Sequence, residues 1–100
     1  MKYNELTHEE KIHIEEIYSV VTELLTSRSE EMNLDKNNIA KIENNKLIIC
    51  NILASMMKYD SILQKLNITI EPYSDNGLYI VKCDDENAYK HIISDVMRYI

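Results

Sequence analysis

Ile39-Ala40-Lys41-Ile42-Glu43-Asn44-Asn45-Lys46-Leu47-Ile48-Ile49-Cys50-Asn51-Ile52-Leu53 is the stretch whose reading decides the fold. From Ile39 to Leu66 apolar residues recur at three- and four-residue spacing in two rows. One row holds Ile42, Ile49, Leu53, Met56 and Leu63; the other holds Ile48, Ile52, Tyr59, Ile62 and Leu66. No charged residue lies between Leu47 and Met57. A helix apolar nearly all round is a buried, central one. Asn is a weak helix former that favours caps. Asn44-Asn45 is therefore where the segment either breaks, into a short helix near 36–44 and a long one near 46–66, or runs through.

Upstream, Thr7-His8-Glu9-Glu10 has the form of a capping box, with Thr7 and Glu10 placed to satisfy each other's backbone N–H. The stripe Ile14, Ile17, Tyr18, Val21, Leu24 and Leu25 then predicts a helix from about His8 to between Ser27 and Met32. Downstream, Ile68, Ile70 and Pro72 alternate with polar neighbours, as do Tyr79, Val81 and Cys83, around Ser74-Asp75-Asn76-Gly77. Asn-Gly is a strong hairpin signal. Centring the turn on it sets Glu71 opposite Lys82 and Ile70 opposite Cys83. Pro72 lacks an N–H, which puts its strand at a sheet edge. Asp84 or Asp85 caps a last helix striped by Tyr89, Ile92, Ile93, Val96 and Ile100. Leu53 and Ile92 belong in the core.

The expected architecture is α+β: three or four helices packed on a two-stranded antiparallel hairpin, in the order α-α-β-β-α, as one domain over residues 1–100. In element order alone this resembles a winged helix-turn-helix. The resemblance implies a transcriptional regulator that binds DNA as a dimer through residues 36–66 and the hairpin tip near Asn76. Lys36, Lys41, Lys46, Lys58, Lys65 and Lys82 place positive charge in that middle region. However, Lys46–Met57 is largely apolar, where a recognition helix needs polar side chains for base edges.

The 100 residues include 17 acids and 11 bases, for a formal net charge of −6. The excess is uneven: residues 1–35 carry nine acids and three bases, whereas residues 36–82 carry four acids and six bases. A negative total disfavours nucleic acid and anionic membrane and suits a basic protein partner. No apolar run is long enough to span a bilayer and the start has no apolar signal region, so a cytoplasmic location is expected. Cys50 and Cys83 lack CxxC context and read as small buried hydrophobes in a reducing compartment. The abundance of Ile, Asn, Lys and Tyr points to an AT-rich coding genome, as in many low-GC bacteria and their phages.

The chain holds one glycine, which leaves nothing from which to build a Gly-rich phosphate loop. No Ser is flanked by Gly, and no Cys has a nearby His to activate it. His8 and His13 are five apart, and five residues turn a helix by about 140°, so they do not share a face as zinc ligands would. No catalytic residue, metal ligand or cofactor site is therefore assigned, and the chain is read as non-enzymatic.

The distinctive surface is on the first helix. Glu9, Glu16, Glu23 and Glu30 recur every seven residues and line the side opposite the apolar stripe. Ile12 and Val20 point within about 40° of that line. Glu9, Ile12, Glu16, Val20 and Glu23 are accordingly the candidate partner-binding residues: two apolar anchors in an acidic rim. This pattern suits a small acidic inhibitor or adaptor, of phage or mobile-element type, acting on a basic and nucleic-acid-binding host protein. The apolar Leu47–Met57 segment adds the expectation of a homodimer.

Overall fold

The computed structural model describes residues 1–74 and 76–100. Its elements run as α1 (His8–Glu31), β1 (Ala40–Glu43), β2 (Lys46–Ile49), α2 (Asn51–Tyr59), α3 (Ser61–Lys65), β3 (Thr69–Pro72), β4 (Tyr79–Lys82) and α4 (Glu86–Met97), with 3₁₀ turns at Tyr3–Glu5 and Lys36–Asn38. The α+β class holds. The two-stranded hairpin does not: the sheet has four antiparallel strands in the order β1-β2-β4-β3.

The difference lies at Asn44-Asn45. Both residues have positive φ, 51° and 62°, and they join β1 to β2 with Glu43 opposite Lys46. Two left-handed residues in a two-residue loop make the mirror-image turn that matches strand twist, and Asn tolerates that conformation where most residues do not. The segment is thus a hairpin followed by a helix. The α-α-β-β-α order, and the winged-helix likeness drawn from it, give way to α-β-β-α-α-β-β-α.

The β3–β4 hairpin forms as expected, with β3 at the sheet edge. Its register is two residues away from the expected one: Ile70 faces Val81 and Glu71 faces Ile80. An even shift keeps every side chain on its face, so Glu71 still reaches Lys82, diagonally, at 2.9 Å. The loop is longer than an Asn-Gly two-residue turn, because Tyr73 N–H bonds the Leu78 carbonyl. Gly77 takes positive φ there, and Asp75, part of the expected turn, lies outside the described residues.

One sheet face carries Ala40, Leu47, Ile49, Ile70, Tyr79 and Val81, which join α1, α2, α3 and α4 in the apolar core. Leu53 and Ile92 are fully buried in it. The other face carries Lys41, Glu43, Lys46, Thr69, Glu71 and Lys82 around Ile48 and Ile80. Across it Tyr73, just beyond β3, donates its hydroxyl to Glu43 of β1. Edge is thereby tied to edge over Ile48, which is fully buried although outside the main cluster.

Leu47–Met57, expected to be a helix apolar on every side, is a buried strand followed by a helix that buries Leu53, Ala54 and Met57. Ile52 is the large apolar residue this segment leaves exposed. Cys50 and Cys83 are free and half-buried. No helix among the described residues is long and apolar enough to cross a membrane.

Candidate protein-binding surface

α1 begins as its sequence dictates. Thr7 Oγ1 accepts the Glu10 N–H at 3.1 Å and Glu10 Oε1 accepts the Thr7 N–H at 2.9 Å. It ends where Asn33 turns left-handed, with φ of 54°, and Leu34 N–H bonds back to the Ser29 carbonyl at 2.8 Å.

Its rotation about its own axis is not the expected one. Ile14 and Tyr18 are buried, but the rest of the inward face is Ser19, Thr22, Thr26 and Ser29. Ile17 and Leu24, assigned to the core by periodicity, are 38% and 65% exposed. At 100° per residue the inward face has turned by about 90° from the apolar stripe. α4 packs along α1. Three of the four hydroxyls are satisfied locally: Ser19 donates to the Glu15 carbonyl, Thr22 to Tyr18 and Ser29 to Leu34. The Thr26 hydroxyl is buried without a partner among the described residues.

Polar ties fix this setting. Asp60, at the start of α3, is the principal one. Its Oδ1 accepts the amides of Ile62 and Leu63 as a helix cap. Its Oδ2 accepts the Tyr18 hydroxyl at 2.7 Å and meets His13 Nε2 at 3.0 Å. Burial on its own would raise the Asp60 pKa, but the bonds from Tyr18, His13 and the two amides outweigh it and hold the carboxyl below its ordinary value. Burial, reinforced by the same contact with Asp60, pushes the Tyr18 phenol up. Lys65 pairs with Glu10 and Arg98 with Glu15. The Lys65 bond and the capping amide lower the Glu10 pKa. Asp95 of α4 is the opposite case: burial raises its pKa, and Arg98, at 3.3 Å, offsets that only in part.

The face left outward carries most of the predicted residues. Glu9, Glu16, Val20 and Glu23 are exposed, whereas Ile12 is half-buried and is a poor anchor. The three glutamates differ from their neighbours on α1: Glu10, Glu15 and Glu30 each sit in an ion pair, but Glu9, Glu16 and Glu23 make none among the described residues. Beside this acidic line runs an exposed apolar row: Val20 (51% exposed), expected on this face, with Ile17 and Leu24, which the periodicity placed inside. The missed signal was Ser19, Thr22, Thr26 and Ser29, small residues at three- and four-residue spacing, which marks a close helix contact as well as an apolar stripe does.

This face sets exposed apolar side chains beside three carboxylates that make no ion pair among the described residues. His8 is exposed, and His13 is engaged by Asp60. Neither a protein family nor a curated protein nor a solved structure matches this chain.

Proposed function

We propose that this protein is a non-enzymatic protein-binding module, an inhibitor or adaptor, that uses the solvent face of α1 to engage a partner with a basic surface. The observation that carries the reading is the adjacency on one helix face of the exposed row Ile17, Val20 and Leu24 and the unpaired acids Glu9, Glu16 and Glu23. Apolar contact at the centre supplies affinity, and the acids steer a basic partner and raise the on-rate. Relative to the residues chosen from sequence, Ile17 and Leu24 replace Ile12 as anchors. The DNA-binding alternative has no comparable observation behind it, because residues 40–49 form a hairpin in place of the helix pair it required.

The test is affinity capture from an extract of the native host, comparing the wild-type chain with a Val20→Asp/Leu24→Asp double variant and a Glu9/Glu16/Glu23→Lys triple variant. Both variants should lose a partner that the wild type retains, with the triple variant affected mainly in on-rate. A partner held equally by all three would remove α1 as the binding face. Concentration-dependent self-association abolished by the double variant would make a second copy the occupant.

A further inference from the structure

β3 is an edge strand with one side of its backbone unused. The Tyr73 N–H bonds the Leu78 carbonyl, and the register pairs Glu71 with Ile80 and Thr69 with Lys82. Ladder bonds alternate along an antiparallel pair, so Thr69, Glu71 and Tyr73 direct their amides toward β4. Ile68 and Ile70 direct theirs outward, and Pro72 adds a carbonyl without an N–H. At the opposite edge the outward residues are Ala40 and Ile42, and Ala40 is fully buried. The open edge of this sheet is at residues 68–72.

A groove between that edge and α2 has two compartments that meet at Lys58 and Ile70. One, of about 390 Å³, is apolar at Met57 and Ile68. The other, of about 290 Å³, is lined by Asn51, Ser55, Lys58 and Tyr59. Asn51, Ser55 and Lys58 are spaced by four and three residues, so three donors share one face of α2. Lys58 makes no ion pair among the described residues. Tyr59 beside it is 76% exposed. The nearby lysines Lys65 and Lys82 are already paired, with Glu10 and Glu71.

We propose that the β3 edge binds an extended peptide segment as an added strand, with an apolar side chain and an acidic side chain two positions apart. The outward groups of Ile68, Ile70 and Pro72 bond the peptide main chain, which fixes its path. Strand period places residues i and i+2 on the helix side of the sheet. One enters the apolar compartment, and the other brings its carboxylate to Lys58, Ser55 and Asn51. The site is separate from the α1 surface and does not depend on it.

The probes are two blocked, fluorescein-labelled peptides of opposite order, Ser-Thr-Leu-Thr-Glu-Thr-Ser and Ser-Thr-Glu-Thr-Leu-Thr-Ser, titrated against the full chain by polarisation. At least one should bind below about 1 mM. Replacing its Glu by Lys, or N-methylating its Leu and Glu amides, should weaken binding by about tenfold or more. Binding should slow amide exchange at Ile68 and Ile70, and Lys58→Glu should reverse the preference between the Glu and Lys peptides. The Glu9/Glu16/Glu23→Lys variant should bind as the wild type does. No binding of either peptide, binding indifferent to N-methylation and to Lys58→Glu, or protection of Ile68 and Ile70 by self-association without peptide would each overturn the proposal.

Discussion

The hydroxyl of Tyr89 accepts the backbone N–H of Leu47 at 2.8 Å and donates in turn to the carbonyl of Val81. Leu47 and Val81 face each other across β2 and β4, so one side chain of α4 is bonded into the central seam of the sheet. Burial, the leading cause, raises the pKa of this phenol, which keeps it protonated and able to donate. Tyr89→Phe removes the hydroxyl and leaves a buried amide and carbonyl without it. The expected loss is about 1–3 kcal/mol in urea melts, with faster exchange at the Leu47 amide. An unchanged midpoint would mean that the ladder closes without the tyrosine.

Asp60 and Asp95 should make opposite contributions to the pH dependence of stability. The Asp60 pKa is lowered on folding from 3.8, so its contribution is fully present above that value and is lost as pH falls below it. Asp60→Ala removes a helix cap and an acceptor for Tyr18, at an expected cost of about 2–4 kcal/mol near neutrality. The penalty should shrink in melts below about pH 3.

Asp95 has its pKa raised above 3.8. The folded state therefore binds its proton more tightly than the unfolded chain does, and ionised Asp95 opposes folding at neutral pH. Asp95→Asn copies the protonated form, and Arg98 keeps its contact with Glu15. The variant should have a higher urea midpoint at pH 7, and the gain should vanish once the wild-type carboxyl is protonated, below about pH 4.

The rotation of α1 separates residues that periodicity treats alike. Leu24→Gln should change stability by no more than about 0.5 kcal/mol, as at an ordinary surface position. Ile14→Ala should cost about 2–5 kcal/mol, as at a filled core position. Thr22→Leu should also destabilise, by about 1–3 kcal/mol, because Thr22 is fully buried and the added bulk overpacks the inward face of α1. A large loss at Leu24 with tolerance at Thr22 would reverse the orientation.

Much of this was legible. The capping box fixed the start of α1, and the alternation around Pro72 and Val81 gave the second hairpin, its faces and its edge. What misled was asparagine. The chain has one glycine, and among the described residues every left-handed position other than Gly77 is taken by an asparagine: Asn33, Asn44, Asn45 and Asn67. At Asn33 and Asn67 it ends helices. At Asn44-Asn45 it reverses a strand, and the residues around it satisfy helical and strand spacing alike over so short a run. Asn45→Gly should stabilise the first hairpin by up to about 1 kcal/mol, measured by urea midpoint, since Gly takes this conformation without steric cost. The candidate surface was legible in its acids, whose seven-residue spacing survives any rotation of the helix. Of its apolar residues Val20 was legible too, but Ile17 and Leu24 were not, because α1 has more apolar residues than its neighbours can cover.

The strand order has a consequence for how the chain folds. β1 with β2 and β3 with β4 are hairpins that close within a few residues of sequence, on the microsecond scale of such elements. The β2–β4 seam joins Leu47 to Val81, which requires a loop containing α2, α3 and β3 to close first. Long-range closure of this kind slows folding. Substitutions at the Asn44-Asn45 turn should therefore alter mainly the folding rate, because the turn is already made when the halves meet, while changes along the seam divide between folding and unfolding rates, with Val81→Ala the informative case. The two hairpins behave as preformed halves, and the committed step is their meeting.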